Sequence, residues 1–74
     1  MQSVFGTRLR NLREDADLNQ TQLAQAVNMT QRKISYMECG RFEPSLCDIL
    51  SFCVFFRVSS DYLLGLTEDP TPKK

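Results

Sequence analysis

The side chains with the most specific chemistry in this chain lie together in residues 30–36. Gln31 can make two hydrogen bonds to an adenine edge, and Arg32 can do the same with a guanine edge. The methyl group of Thr30 can contact the methyl group of thymine. No other segment of the 74 residues carries chemistry of comparable specificity. This segment is therefore the first candidate for a functional site.

Two short predicted helices, joined by a tight turn, must position these side chains. Asn19 is a good N-cap of the earlier of these two helices, the second in the chain, and Gln22 completes a capping box with it. Asn28 tolerates the left-handed conformation that a helix C-terminus often needs, so we expect the turn there. Thr30 caps the later one, the third helix in the chain, and Gly40 ends it. This geometry lets one helix enter the DNA major groove, which is about 12 Å wide.

The remainder of the chain predicts three further helices and no strand. We expect the first helix to begin at a Ser3 cap, the fourth at a Ser45–Asp48 capping box, and the fifth at Ser59 or Ser60. Apolar side chains at helical spacing are Phe5, Leu9, Leu12 and Ala16 in the first helix, and Leu46, Ile49, Leu50, Cys53 and Phe56 in the fourth. The predicted fold is all-α: a compact five-helix bundle over residues 1–66, followed by a flexible tail over residues 67–74.

Composition excludes several functional classes. The three cysteines form no CxxC pair and histidine is missing, so a zinc site lacks ligands, and we expect the thiols to serve as small packing residues. The sequence offers no nucleophile–base pair and no glycine-rich phosphate loop, so we expect no enzyme, cofactor or small-molecule ligand. The apolar run over residues 49–56 is too short to cross a membrane, and no signal peptide is evident, so we expect a cytoplasmic protein.

Charge is balanced overall but unevenly distributed. The formal net charge is zero, which gives no support to nucleic-acid binding by itself. Residues 18–37 contain no acid, however, while Arg32 and Lys33 lie within that range and Arg41 follows it. One face can therefore be positive on a neutral protein.

Four blocks of this sequence match a known pattern in order and spacing. They are Leu18-Asn19-Gln20-x-x-Leu23-Ala24, Thr30-x-x-x-Ile34-Ser35-x-x-Glu38-x-Gly40, Pro44-Ser45-Leu46, and Val58-Ser59-x-Asp61-Tyr62-Leu63-Leu64-Gly65. Through them the chain resembles the phage repressor and Cro (Xre-type) helix-turn-helix family over about residues 5–66. The resemblance implies a lambda-repressor-like bundle that binds duplex DNA, usually as a two-fold dimer on a near-palindromic operator.

The resemblance also implies a role for each polar residue of the motif. Residues expected at base edges are Thr30, Gln31, Arg32 and Tyr36. Residues expected near the sugar-phosphate chain are Asn19, Gln20, Lys33, Arg41 and the backbone of Phe42. Gln20 would also brace Gln31, and Arg13 would pair with Glu38 as a structural clamp between the first helix and the recognition helix.

Three residues depart from the family pattern. Asn28 replaces the usual turn glycine, which asparagine can imitate. Cys39 stands where a polar residue often reaches phosphate, and Glu43 adds a negative charge to a loop that tends to be basic. Both changes should weaken non-specific DNA affinity.

Each interpretation has a less specific alternative. A Gln-Arg-Lys run is most often a solvated helix face, and Tyr36 can serve as surface cover. The surplus apolar residues Val54 and Phe55 either thicken the core or join Leu64 and Leu66 in an exposed patch. We favour the exposed patch, as an isologous dimer interface.

Two functions of different class follow. The leading hypothesis is a sequence-specific regulator of transcription, a repressor that binds double-stranded operator DNA as a homodimer. The alternative is a small protein-interaction module, antitoxin-like or antirepressor-like, that uses the same fold without reading DNA.

Overall fold

Capping side chains determine where the helices begin. The computed structural model describes residues 4–71 and contains α1 (Val4–Asp15), α2 (Gln20–Ala26), α3 (Gln31–Glu38), α4 (Leu46–Phe56) and α5 (Ser60–Leu63). Capping boxes are formed at Asn19 and at Ser45, and Thr30 and Ser59 accept hydrogen bonds from the backbone at the starts of α3 and α5. Five helices and no strand over these residues confirm the predicted all-α bundle, whereas the predicted cap at Ser3 lies outside the described residues.

Left-handed residues end the helices and turn the chain. Asn28 has a φ of 59° and Gly40 a φ of 77°, as predicted for the turn into α3 and the exit from it. Arg57 also adopts a left-handed conformation, at φ 57°, as the C-cap of α4. Periodicity did not predict this conformation, because arginine is not a residue type that favours it.

One small core joins all five helices. Its fully enclosed side chains are Leu9, Leu23, Ile34, Met37, Phe52 and Leu63. The rings of Phe5 and Phe52 lie 6.0 Å apart between α1 and α4. Because one side of α3 is held in this core, the opposite side of α3 faces solvent. The candidate site lies on that exposed side.

The predicted inward stripe of α4 is wrong in part. Leu46 and Leu50 are 72% and 52% exposed, whereas Phe52 is fully buried. A helix that is apolar nearly all round has no polar face that would set its rotation. Packing sets the rotation instead, and the large ring of Phe52 fills the core. In α1 the stripe is also shorter than predicted, because the helix ends at Asp15 and Ala16 is exposed.

A glycine allows α1 to approach the end of α3. A Cβ atom on Gly6 would lie 2.6 Å from the carbonyl oxygens of both Met37 and Glu38. These are backbone atoms of α3, so they cannot move aside as a flexible side chain would. Close contact between α1 and α3 therefore requires glycine at this position.

The segment after α5 makes hydrogen bonds with the bundle. Arg8 donates from Nη1 to the Thr67 carbonyl at 2.9 Å, and the Ser59 amide donates to the Pro70 carbonyl at 3.0 Å. The division at residue 66 and the flexibility of residues 67–74 stay predictions. Among the described residues no helix is long and apolar enough to cross a membrane.

Candidate nucleic-acid interface

Four side chains predicted to read bases lie on the solvent side of α3. Because Ile34 and Met37 are buried, the opposite side of this helix faces outward. Thr30, Gln31 and Arg32 are exposed, and Tyr36 is 42% exposed. Their exposure leaves them available to a ligand that lies along α3, and their base-reading role stays a prediction.

Most of the predicted phosphate contacts lie around this helix. Asn19 is exposed at the start of α2, where its Oδ1 accepts the Gln22 amide at 2.7 Å. Arg41 and Phe42 follow α3 and are exposed. Within residues 4–71 the side chains of Arg32 and Arg41 form no ion pair, so both guanidinium groups are available for an anion.

Lys33 has a partner inside the domain. Its Nζ lies 2.9 Å from Asp48 Oδ1 and 5.5 Å from the centre of the Phe42 ring. Burial raises the pKa of the Asp48 carboxyl, but hydrogen bonds from the Ser45 backbone amide and from Lys33 outweigh burial and leave the pKa lowered. A phosphate would have to compete with this carboxylate for Lys33, so the predicted phosphate contact is less favourable here than at Arg41.

The carboxylate of Glu38 ties α1 to the end of α3. Its side chain is fully buried, and Arg13 donates to it twice, from Nε to Oε2 at 2.6 Å and from Nη2 to Oε1 at 3.1 Å. Arg13 Nη1 also donates to the Leu18 carbonyl at 2.8 Å, ahead of α2. Burial raises the pKa of Glu38, but the hydrogen bonds from Arg13 and Gln20 outweigh it, so the pKa is lowered and the carboxyl stays ionised. The structure therefore brings together the two residues predicted to form a clamp.

A chain of amides continues from Glu38 to the surface. Gln20 Nε2 donates to Glu38 Oε1 at 3.1 Å, and Gln31 Nε2 donates to Gln20 Oε1 at 2.6 Å. We name these three residues the polar relay. Gln20 is thus placed beside Gln31, as predicted, and it also reaches a buried carboxylate, which was not predicted.

Two of these ion-pair partners, Arg10 and Asp48, were not predicted from the sequence. Arg10 donates to Glu38 at 3.5 Å, and its position three residues before Arg13 on α1 was a usable signal, because residues at that spacing share a helix face. Asp48 was interpreted only as part of a capping box, and the sequence gives no sign that Lys33 reaches it from α3.

The residues predicted to form a dimer interface are exposed but lie in two places. Val54 and Phe55 line a shallow groove beside the end of α2. Leu64 lines a different groove, with Phe42 and Pro44. Leu66 is 75% exposed beyond α5. The outward side of α4 carries no charge and consists of Leu46, Cys47, Leu50, Ser51, Val54 and Phe55.

The cysteines are free and only one fits the predicted packing role. Cys53 is partly buried, and burial raises the pKa of its thiol. Cys39 and Cys47 are exposed, which corrects the prediction that all three pack as small apolar residues. Cys39 follows the last turn of α3, and Cys47 lies on the outward side of α4, so neither faces the core. In the part of the chain that is described, no cluster of three or more cysteine and acidic side chains is arranged to hold a metal.

Comparisons with known proteins agree with the helix-turn-helix fold. A family model described as a helix-turn-helix domain matches residues 4–66. An uncharacterized HTH-type transcriptional regulator, YobD of Bacillus subtilis (strain 168), is 36% identical over 70 residues, which cover 95% of this chain and 62% of the relative. The chain thus spans less than two thirds of that relative's length.

Two solved structures share the fold at 30% identity. The P22 c2 repressor in complex with synthetic operator 9T has a TM-score of 0.78, over 86% of this chain and 96% of the repressor. The restriction-modification controller protein C.AhdI of Aeromonas hydrophila has a TM-score of 0.75, over 81% of this chain and 91% of the controller.

Proposed function

The chain belongs to the phage repressor and Cro (Xre-type) helix-turn-helix family of DNA-binding regulators, and on this premise we propose that it represses transcription by binding operator DNA as a dimer. Members of this family act by binding rather than by catalysis, so the protein is not an enzyme. Because its proposed partner is DNA, we also propose that the protein is located in the cytoplasm.

The outward side of α3 carries the proposal. It presents an amide at Gln31, a guanidinium at Arg32 and a phenol at Tyr36, and its other side is sealed in the core. These groups match the hydrogen-bonding edges of bases in the major groove. The P22 c2 repressor, which shares this fold, was solved in complex with a synthetic operator, and this similarity supports DNA as the partner of this chain.

Phosphate contacts have a smaller part in the proposal than base contacts. The chain has no net charge, and Lys33 is already neutralised by Asp48. Arg41, with no carboxylate partner among residues 4–71, is the strongest candidate for phosphate. We therefore expect modest non-specific affinity, with discrimination supplied mainly by α3.

Selection from random duplexes, followed by two arginine variants, tests this proposal. Arg32→Ala should relax preference at one base pair and cost about 1–3 kcal/mol at that pair. Arg41→Ala should weaken all sequences equally and reduce the slope of log affinity against log salt by about 1. A protein that enriches no sequence and binds without salt dependence would refute the proposal. An equal loss on all sequences for Arg32→Ala would assign Arg32 to phosphate instead.

We place the dimer contact on the apolar residues Val54, Phe55, Leu64 and Leu66, with the outward side of α4 as its largest part. Exposed apolar patches of this kind mark interaction sites on small proteins. The molecule measures 31 × 26 × 22 Å, so two copies fit side by side on half-sites about 34 Å apart, one turn of DNA.

The uncharged outward side of α4 also favours a second candidate, a protein-interaction module with this fold. Chemical-shift mapping on addition of duplex DNA separates the two. Shifts at Gln31, Arg32 and Arg41 support the regulator, whereas shifts confined to residues 46–66 support the interaction module.

A further inference from the structure

The carboxylate of Asp48 is held in one place by its own helix. Its Oδ2 accepts a hydrogen bond from the Ser45 amide at 3.0 Å, and its own amide donates to Ser45 Oγ at 3.2 Å. The residue is 5% exposed and lies in the first turn of α4, where the partial positive charge of the helix N-terminus stabilises an anion. The carboxylate therefore cannot turn away from its other partner, Lys33, without breaking the capping box.

Lys33 lies among the residues that are predicted to contact phosphate. It is in the first turn of α3, and its Nζ is 5.5 Å from the centre of the Phe42 ring, next to Arg41 in the chain. The same Nζ lies 2.9 Å from Asp48 Oδ1, a distance at which a phosphate oxygen would also accept its hydrogen bond. A phosphate that approached Lys33 would therefore meet the negative charge of Asp48 as well as the positive charge of the lysine.

The pair of Lys33 and Asp48 contributes little as a structural contact. The Lys33 side chain is 33% exposed, and ion pairs with an exposed partner add little to the free energy of unfolding. Asp48 keeps the hydrogen bonds of its capping box without Lys33. Over the described residues it is the one ion pair between α3 and α4, and it has no atom in common with the polar relay. Its main consequence is that one cation of the predicted interface is neutralised.

We infer that Asp48 is an internal competitor of DNA phosphate, an autoinhibitory contact that withholds Lys33 and thereby lowers the affinity for duplex DNA of any sequence. The inference rests on the proposed function. Each phosphate that a protein cation neutralises steepens the fall of log affinity with log salt by about 0.9. A lysine that is already paired with a carboxylate adds little to this sum. Removing the carboxylate should therefore add one phosphate contact, and the protein should bind more tightly rather than less.

Asp48→Asn tests the contact while keeping the capping box, because an asparagine oxygen still accepts the Ser45 amide but no carboxylate charge holds Lys33. Glu43→Gln is the matched control. It removes the same charge from an exposed carboxyl in the loop before α4, and over residues 4–71 that carboxyl forms no ion pair with a lysine. Lys33→Met is combined with each variant and with the original protein. Affinity is measured over about 50–200 mM salt on a mixed-sequence duplex and on the selected duplex.

We expect Asp48→Asn to bind both duplexes about fivefold to tenfold more tightly near 0.1 M salt, with a salt slope steeper by about 0.9. Lys33→Met should abolish this gain, but it should leave the affinity of the original protein nearly unchanged. Any gain from Glu43→Gln should survive Lys33→Met. An Asp48→Asn protein that binds no more tightly, or a gain that survives Lys33→Met, would overturn the inference. So would a loss for Lys33→Met in the original protein as large as that for Arg41→Ala, because Lys33 would then be free for phosphate.

Spectra of the DNA-free proteins separate this inference from the proposed function. In ¹H–¹³C correlation spectra, the ε-methylene resonances of Lys33 should move in Asp48→Asn and stay in place in Glu43→Gln. Resonances that stay in place in Asp48→Asn would overturn the contact itself. If none of the proteins binds duplex DNA, the proposed function fails, and competition with phosphate fails with it. The spectra then decide separately whether Asp48 holds Lys33.

Discussion

At the scale of single residues, Glu38 is the position on which most of the candidate site depends. Its enclosed carboxylate holds α1, the start of α2 and the end of α3 together, because its partners come from α1 and from the start of α2. Such a buried ion pair adds little net stability compared with apolar residues, but removing one partner leaves an uncompensated charge. Arg13 and Glu38 are therefore far more sensitive to substitution than the exposed charges are.

Arg13→Met should lower the free energy of unfolding by about 3 kcal/mol, because it strands the Glu38 carboxylate in the core. Arg10→Met is the matched control and should cost less than about 1 kcal/mol, since weak, exposed pairs contribute little. The Arg10 side chain is 40% exposed and lies 3.5 Å from Glu38, against 12% exposed and 2.6 Å for Arg13. Urea unfolding measures both, and equal losses would contradict the assignment of Arg13 as the principal partner.

The free energy of unfolding should decrease at low pH, because the Glu38 carboxylate becomes protonated. The pKa of Glu38 is lowered in the folded state, so its contribution is fully present above the unfolded value of about 4.3 and is lost as pH falls through the folded pKa. Urea unfolding from pH 7 to pH 3, with sucrose as a stabiliser, should show a shallower acid loss for Glu38→Gln than for the original protein. Glu43→Gln, at an exposed loop carboxyl, should keep the original slope. Identical slopes for all three proteins would contradict this prediction.

Sequence resemblance predicted two of these side-chain pairs but not all of their contacts. Arg13 with Glu38, and Gln20 with Gln31, stand in motif positions, so their proximity was predictable. Lys33 with Asp48 was not, because the contact depends on how α3 and α4 approach each other in space. For the same reason, the surface neighbour of Gln20, Gln31, was predicted, whereas its buried neighbour, Glu38, was not.

At the scale of elements, helix starts were predictable and helix rotations were not. Caps are local: Asn19, Thr30 and Ser45 bond to amides three residues away, and sequence spacing reports this directly. The rotation of α4 depends on which ring fills the shared core, so Phe52 displaced the predicted Leu46 and Leu50. The conformation of Arg57 likewise follows from the path into α5 rather than from its own preference.

Gly6→Ala should destabilise the bundle by about 1–3 kcal/mol, as overpacking a tight contact does. Helix propensity alone predicts the opposite sign, because alanine is favoured over glycine by about 1 kcal/mol inside a helix. The new Cβ would meet the carbonyl oxygens at the end of α3. Thr7→Ala is the control on an exposed position of α1 and should change the free energy of unfolding by less than about 0.5 kcal/mol. A more stable Gly6→Ala protein would show that α1 and α3 can separate at little cost.

At the scale of the whole molecule, charge balance and size shape the mode of DNA binding. A chain with no net charge gains little from counterion release, so under the proposed function tight binding would depend on accurate base contacts in two half-sites. Joining two half-sites raises affinity by about 10²–10⁴ over one, provided that the geometry permits both contacts. The apolar surface of α4 and the 31 Å length of the domain are consistent with that geometry.

Val54→Glu should abolish the proposed dimer while leaving the fold intact. Val54 is 78% exposed, so a glutamate there stays solvated in the monomer, whereas in a symmetric contact the two copies would bring like charges into an apolar surface. Sedimentation should show a concentration-dependent dimer for the original protein and a monomer for Val54→Glu.

Binding to a full operator should weaken at least about a hundredfold for Val54→Glu, while binding to one isolated half-site stays unchanged, because only the linkage between copies is lost. Asn11→Glu adds the same charge at an exposed position of α1 and should change neither the oligomeric state nor operator affinity. An original protein that remains monomeric on the full operator, and that binds it no better than a half-site, would refute the dimer. Half-site binding is measured in parallel, so base reading by α3 would still be tested separately if the dimer were refuted.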